Sequence, residues 1–445
     1  MEWTIARRTA VLAVAMALIL AACSGGGAGT TTTTAAGKTT TTAAVTTTTA
    51  AVTTTTAAVT TTTVEPVSIQ LAIEASGDTP LAYQDQIDRF NESHKDVQVE
   101  LRTYTGGDAY NQAILGQVAG GVAPDVFLVD GGVRTKEFAT SDAIAPLTDL
   151  AKAAGLDLDS FKPSLLKAFT VDGKLYGIPK DYNTTALFYH KDLLEQAGIE
   201  PPKTWDDLRA AAQKLTSGDT VGFGMYPQIN YFLAFIEAAG GSFVSADGVV
   251  GDLSNAGHKE ALAFMQDLFT SGYALSPQMA GAGWDGEMFA NKQVAMVYGG
   301  TWIPGAVLGG DPSLQIGAVP LPPKVQPGSV LYTAGWVISA KSEHPDAAME
   351  LISFLTSDEE LLKGREAGII GLPPTESALQ AVVDANPDDP TLAVARKAAD
   401  YGVPFGWLQP KFVDTYNKAF GELVQKKGMT PSEMIDQVMS EMPKG

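Results

Sequence analysis

The chain has 445 residues, a hydrophobic fraction of 45%, one cysteine and a formal net charge of −20. That length has room for two or three domains, and the acidity argues against nucleic acid or an anionic membrane surface as a partner. One cysteine excludes an intramolecular disulfide and any zinc site built on cysteines.

Arg7 and Arg8 form a positive start, and Ala10 to Leu20 is an apolar run too short for a membrane span. Leu20-Ala21-Ala22-Cys23 then resembles a lipobox, so residues 1–22 are expected to be a lipoprotein signal peptide and Cys23 the lipidated residue. Residues 23–65 are dominated by repeats of TTTTAAV. They lack the aromatics and large aliphatics that offset ordering entropy, and are read as a disordered tether.

From Pro66 the pattern alternates. Ser68 to Ile73 reads as a strand, Glu74-Ala75-Ser76-Gly77-Asp78 as a polar turn, and Leu81 to Asn91 as a helix with Ile87 and Phe90 inward. Val97 to Thr103 is a second strand and Ala109 to Val118 a second helix. Ala123 to Asp130 is a third strand, entering the turn Gly131-Gly132. Alternation of this kind predicts a parallel α/β sheet, whose ligands sit at the carboxyl ends of strands. Glu74, Ser76, Gly77 and Asp130 fall there; Asp130 reads either as a turn former before Gly131 or as a hydrogen-bond acceptor for a ligand.

Leu175 to Pro179 and Thr185 to Tyr189 read as two short strands, separated by the polar run Lys180-Asp181-Tyr182-Asn183-Thr184. A helix over Lys191 to Ala197 closes at Gly198, and Thr204 caps the next helix. Residues 208–270 read as helical, with Tyr226 and Tyr231 in an intervening loop. A helix begins at Asp285, a strand covers Gln293 to Tyr298 and runs into Gly299-Gly300-Thr301-Trp302, and another strand covers Ala334 to Ser339. Pro345 suits the first position of a helix striped by Ala348, Leu351, Ile352 and Leu355. Lys411 to Val424 carries Phe412, Tyr416, Ala419, Phe420 and Leu423 on one face.

Trp284, Trp302, Trp336 and Trp407 each sit beside Gly, Pro or a polar residue. Two fates are open to a tryptophan in such a place: core packing, or a platform for the apolar face of a sugar ring whose hydroxyls go to Asp, Asn and backbone groups. Gly281 to Gly286 fits G-x-G-x-x-G in form, but no strand precedes it and Ser276-Pro277 interrupts the chain, so no dinucleotide site is read there. The four histidines lack paired-ligand spacing. Neither a cofactor nor a metal is expected.

Five blocks in order, "GVAPDVFLVDGG", "DGKLYGIP" with "KDLLEQAGIEPPKTWDDL", "FANKQVAMVYGGTW", "IGAVPLPP" and "SAKSEHPDAAMELISFLTSDE", resemble the extracellular solute-binding proteins of family 1. These are sugar-binding lipoproteins of bacterial ABC importers, the maltose-binding-protein class. The resemblance covers nearly everything from Val67 onward. It implies a two-lobed α/β periplasmic-binding-protein-like fold (type II), with a ligand cleft between lobes joined by hinge crossings. The lobes would comprise 66–181 with 323–367 and 182–322 with 368–445. Crossings are expected at Lys180 to Thr184, Ile316 to Pro323 and Gly364 to Pro374. Asp181, Tyr182, Asn183, Gly300, Trp302, Gly335, Trp336 and Arg365 would face the cleft, joined by Trp284 and Trp407. His190 stands where relatives carry Asn and is given no role.

The function implied is capture of a sugar or oligosaccharide outside the cytoplasm by hinge closure, for delivery to ABC permease transmembrane subunits. The protein would be a monomer, held at the membrane by lipid alone, with no bond made or broken. Two alternatives stay open: the same scaffold binding a peptide, polyamine or other cation, and an extracellular polysaccharide-active enzyme, for which nothing in the sequence singles out a carboxylate pair.

Overall fold

A computed structural model describes residues 65–75, 79–242, 253–405, 408, 410–425 and 428–441. The expectations for the signal peptide, Cys23, the tether to Val64, Ser76, Gly77 and Trp407 lie outside the described residues.

The described residues form twelve strands: β1 Val67–Glu74, β2 Val97–Tyr104, β3 Val126–Asp130, β4 Thr170–Val171, β5 Lys174–Leu175, β6 Ile178–His190, β7 Val221–Met225, β8 Ala274–Leu275, β9 Val294–Gly300, β10 Ile316–Val319, β11 Val330–Ile338 and β12 Val403–Pro404. Hydrogen bonding runs β2-β1-β3-β11-β6-β9-β7-β8, with β10 added to β6 and β12 to β11. β1, β2 and β3 are parallel, as are β7, β8 and β9. Two half-sheets therefore exist, one at each end, and among the described strands only β6 and β11 run through both.

Each half-sheet is buried on both faces, as parallel strands require. On the first, Ile69, Leu71 and Ile73 pack under Ile87, Phe90, Leu351 and Leu355, while Ala72, Phe127 and Val129 face Tyr110, Ile114 and Phe138. On the second, Phe223, Met225 and Tyr298 join Phe232, Phe235, Phe412, Tyr416 and Phe420, and Met288, Val297 and Ile303 cover the other face.

Local signals account for several boundaries. Thr204 accepts from the Asp207 N–H at 3.1 Å, Gly198 is left-handed at φ 61°, and Pro345 is the first residue of the helix Pro345–Leu355. Trp205 is buried and donates its indole N–H to the Pro322 carbonyl. His190 is buried against Phe289, bonded to its carbonyl oxygen at 2.8 Å.

Three expectations change. The two short strands around Lys180 to Thr184 are one thirteen-residue strand, β6. The polar residues stay extended because they pair on both sides: Asp181 to Thr184 with Leu331 to Ala334, and Tyr182 with Leu372. The 208–270 stretch is not helical throughout. It contains β7, and Tyr231 lies within the helix Ile229–Ala238. Finally, the strand returning to the first half-sheet is β11, while Ile316 to Val319 runs antiparallel to β6 on the second side. The delay has a packing cause. Val325 N–H bonds to the Ala238 carbonyl, and Gly328 lies so close to Ala234 that an added Cβ would come within 2.1 Å of its carbonyl oxygen.

Candidate binding cleft

The carboxyl ends of β1, β3, β7 and β9 point toward the same middle zone, where β6 and β11 pass between the half-sheets. There Tyr182 and Leu372 exchange two backbone hydrogen bonds of 3.0 and 2.9 Å, so three chain segments lie side by side. Side chains fasten them. Asp181 accepts from the Gly371 N–H at 2.8 Å and from Lys180 Nζ at 2.6 Å, and Lys180 also donates to the Ile369 carbonyl at 2.8 Å. Burial is the largest single influence on Lys180 and opposes its charge, but Asp181 and Tyr83 together outweigh it and raise its pKa above the ordinary value. Arg365 donates to the Gly371 carbonyl at 2.8 Å, and burial lowers its pKa.

Two cavities adjoin this crossing. One, of about 400 Å³, opens on the first half-sheet and is lined by Glu74, Tyr83, Tyr110, Asn111, Asp130, Arg134, Lys180 and Ala334 among others. The other, of about 530 Å³, lies toward the second and is lined by Asp181, Asn183, Thr301, Trp302, Arg365, Asp389 and Thr391. Asp130 opens on the first cavity, as β3 ends. Desolvation pushes its carboxyl above the ordinary range, Arg134 draws it back, and Asp181 adds to the rise.

Trp302 is 38% exposed and packs edge-on to Tyr332 at 5.5 Å. Its ring covers Gly300, where any Cβ would come within 2.2 Å of the indole. Gly300 thus seats the platform. Tyr332 donates to the Asn230 carbonyl at 2.7 Å, meets Phe405 at 5.9 Å, and lies near Tyr231, which stacks parallel to Tyr226. Hexose rings present C–H faces that such surfaces cover, with hydroxyl edges left for carboxylates and amides.

Of the sequence-derived candidates, Glu74, Asp130, Asp181, Asn183, Trp302 and Arg365 line these two cavities. The others have different surroundings. Trp336 is 1% exposed and belongs to the core of the first half-sheet. Gly335 lies against Phe169, which an added Cβ would approach to 2.6 Å. The Tyr182 ring is buried behind the crossing with Leu165, Leu379 and Leu392. Trp284 folds over Gly286 and packs on the Met288–Phe289 core.

Residues not singled out beforehand are Tyr83, Asn111, Arg134, Thr301 and Tyr332. Thr301 carried the best available signal, standing inside the Gly-Gly-Thr-Trp turn. Its N–H bonds to the Thr184 carbonyl and its hydroxyl reaches Asn183 Oδ1. Asp285 is also new. It is 1% exposed, accepts from the Gly286 N–H, and has the Tyr231 hydroxyl beside it. Burial raises its pKa to about 6. Among the described residues no cluster of His, Cys, Asp or Glu could hold a metal ion, and no helix is long and apolar enough to cross a membrane.

A cleft between two α/β lobes hinged on crossing strands defines a class of binding proteins, and comparison gives the family. Residues 85–394 match the model for bacterial extracellular solute-binding proteins, and the chain belongs to that family. It is 27% identical over 292 residues to the arabinooligosaccharide-binding protein of Bacillus subtilis, covering 62% of this chain and 66% of that protein. It is also 27% identical over 342 residues to the diacetylchitobiose binding protein of Streptomyces coelicolor, covering 72% and 76%. Among solved structures, an ABC substrate-binding protein from Listeria monocytogenes in complex with cycloalternan superposes with a TM-score of 0.71 at 25% identity, covering 84% of this chain and 98% of that one. The chain thus spans just under two thirds of the length of the first of these curated relatives.

Proposed function

We propose that this protein is an extracytoplasmic substrate-binding lipoprotein of an ABC importer that captures a sugar or oligosaccharide between its lobes. The lobes comprise about 66–181 with the part of 323–367 that follows the β11 crossing, and about 182–322 with 368–445. The observation that supports the reading is a pair of adjoining cavities with unlike linings: Glu74, Asn111 and Asp130 in one, and Trp302, backed by Tyr332, in the other. A sugar ring needs both kinds of surface. Rotation about the three crossings brings them together, and ligand then shifts the open–closed equilibrium by what it gains from both lobes.

Cys23 carries the lipid that holds the protein at the membrane, and the closed form is what the permease receives. The protein works as a monomer, and its chemistry is recognition without catalysis. The relatives' ligands, arabinooligosaccharide and diacetylchitobiose, support a neutral saccharide.

The test is a thermal-shift screen of the full chain against neutral saccharides, amino acids and polyamines, read with tryptophan fluorescence. Ligand at a hundredfold excess over Kd adds about 2.7 kcal/mol to the native state. A shift with one saccharide series, with a fluorescence change lost in Trp302→Ala, supports the proposal. Shifts confined to polyamines transfer the site to a cationic ligand. New reducing ends from an oligosaccharide overturn the binding-protein reading.

A further inference from the structure

We infer that Thr301 is a positioning residue that aims the Asn183 side-chain amide, so that the amide nitrogen donates to a ligand oxygen at the edge of the aromatic wall. The inference rests on the saccharide reading above and names the residue that gives this edge of the site its polarity.

Strand register puts Asn183 beside the wall. On β6 it pairs with Tyr332 of β11, and partners across an antiparallel pair share a face of the sheet. Tyr182 and Leu331, one residue away on each strand, lie together in the apolar cluster behind the crossing, as alternation requires. The Asn183 amide and the Tyr332 ring therefore stand on the other face, where Asn183, Thr301 and Trp302 line the second cavity.

Thr301 is held by Thr184, the residue after Asn183. Its N–H donates to the Thr184 carbonyl at 3.0 Å, and its hydroxyl oxygen accepts from the Thr184 N–H at 3.3 Å. That leaves the hydroxyl proton for Asn183 Oδ1, at 3.3 Å. An amide whose oxygen is engaged on one side presents its NH₂ on the other. Asn183 Nδ2 has no hydrogen-bond partner among the described residues, and Gly371 leaves it room: an added Cβ there would come within 2.6 Å of it.

The polar neighbours are drawn elsewhere. Asp181 Oδ2 accepts from Lys180 and from the Gly371 N–H, and Arg365 donates to the Gly371 carbonyl. A sugar ring stacked on Trp302 directs its oxygens outward from its edge, and Nδ2 is the donor that meets one of them. Without the Thr301 hydroxyl the amide turns over freely, and its oxygen faces the ligand part of the time.

Isothermal titration calorimetry of the full chain tests this with arabinotriose, diacetylchitobiose and maltotriose as probes. The variants are Thr301→Val, Thr301→Ser, Asn183→Ala, Asn183→Asp and Thr301→Val combined with Asn183→Ala, with circular dichroism confirming that each is folded. For a probe that binds wild type, Thr301→Val weakens affinity by about fivefold, and Thr301→Ser restores it. Asn183→Asp keeps the oxygen and removes the donor, so it weakens binding at least as much as Asn183→Ala. Because Thr301 acts through the amide, Thr301→Val adds less than about twofold to Asn183→Ala.

A Thr301→Val loss that multiplies undiminished onto Asn183→Ala overturns the inference and assigns Thr301 to the Trp302 turn alone. An Asn183→Asp variant that binds as tightly as wild type overturns it as well, and so does an unaffected Thr301→Val. Each of these leaves the saccharide reading standing. Failure of all three probes to bind wild type overturns both.

Discussion

Strand ends on the first half-sheet carry Glu74 and Asp130, with Arg134 and Lys180 close by. Corresponding ends on the second are followed by Tyr226 and by Gly300-Thr301-Trp302, backed by Tyr332 and Phe405. The same α/β plan thus produces a charged wall and an aromatic wall. The cause lies in the residues just beyond each strand. After β3 the chain turns into Val133–Thr140, whose Arg134 sits beside Asp130 and keeps an ionised carboxylate tolerable there. At the end of β9 Gly299 and Gly300 carry no side chains, and the Trp302 indole settles against Gly300. Hydrogen bonds select by direction and aromatic faces by shape, so under the proposed function the walls would divide specificity between them.

The largest effect is expected where the walls are joined. Asp181→Ala leaves Lys180, only 6% exposed, without its carboxylate and frees the Gly371 N–H. The expected loss is about 3–5 kcal/mol of unfolding free energy, measured by urea denaturation. A loss near zero would mean that the crossing does not depend on this pair.

Next comes the aromatic wall. Trp302→Ala is expected to weaken saccharide binding by about 1.5–3 kcal/mol with the melting temperature of the free protein nearly unchanged, because the ring is partly exposed. Calorimetry with the ligand found in the screen checks it.

Asp285 sharpens the comparison through pH. Burial raises the pKa values of Tyr231 and Tyr332 and the nearby Asp285 adds to the rise, so this carboxyl lies beneath the aromatic wall. Its folded pKa of about 6 exceeds the ordinary 3.8. Its contribution to stability is therefore intact below about pH 4 and is lost as pH rises through 6. Asp285→Asn removes that loss, and is expected to gain about 3 kcal/mol at pH 8 and little near pH 4. Denaturant midpoints across that range decide it.

The smallest effect is expected at Trp284. Trp284→Phe should change saccharide affinity by less than about 0.5 kcal/mol, since that ring covers Gly286 and does not line the cavities. A larger change would extend the aromatic wall to it.

Much of this was legible in the sequence where a local cause suffices. Thr204, Gly198, Pro345 and the stripe from Phe412 to Leu423 act within their own helices, and they set boundaries near those observed. Glu74 and Asp130 were accessible because a strand followed by a polar turn ends at its carboxyl edge.

Long-range pairing was less legible. Nothing near Trp336 announces that β11 lies between β3 and β6. Only that placement sets Gly335 against Phe169 and turns the indole into the core. Lys180 to Thr184 reads in the sequence as a polar run separating two strands, whereas backbone partners on both sides keep it extended as part of one. Asp285 reads in the sequence only as the start of a helix, and its burial becomes visible only when the neighbouring elements close over it.

The position of β11 also governs when the protein is able to fold. The first half-sheet needs β11 beside β3, and Val330 is made 200 residues after Asp130. At 5–20 residues per second that is a wait of about 10–40 s, during which the growing chain holds β3 with an unpaired edge. Synthesis therefore runs ahead of folding, and the lobe whose strands emerge first is not completed until most of the chain is made.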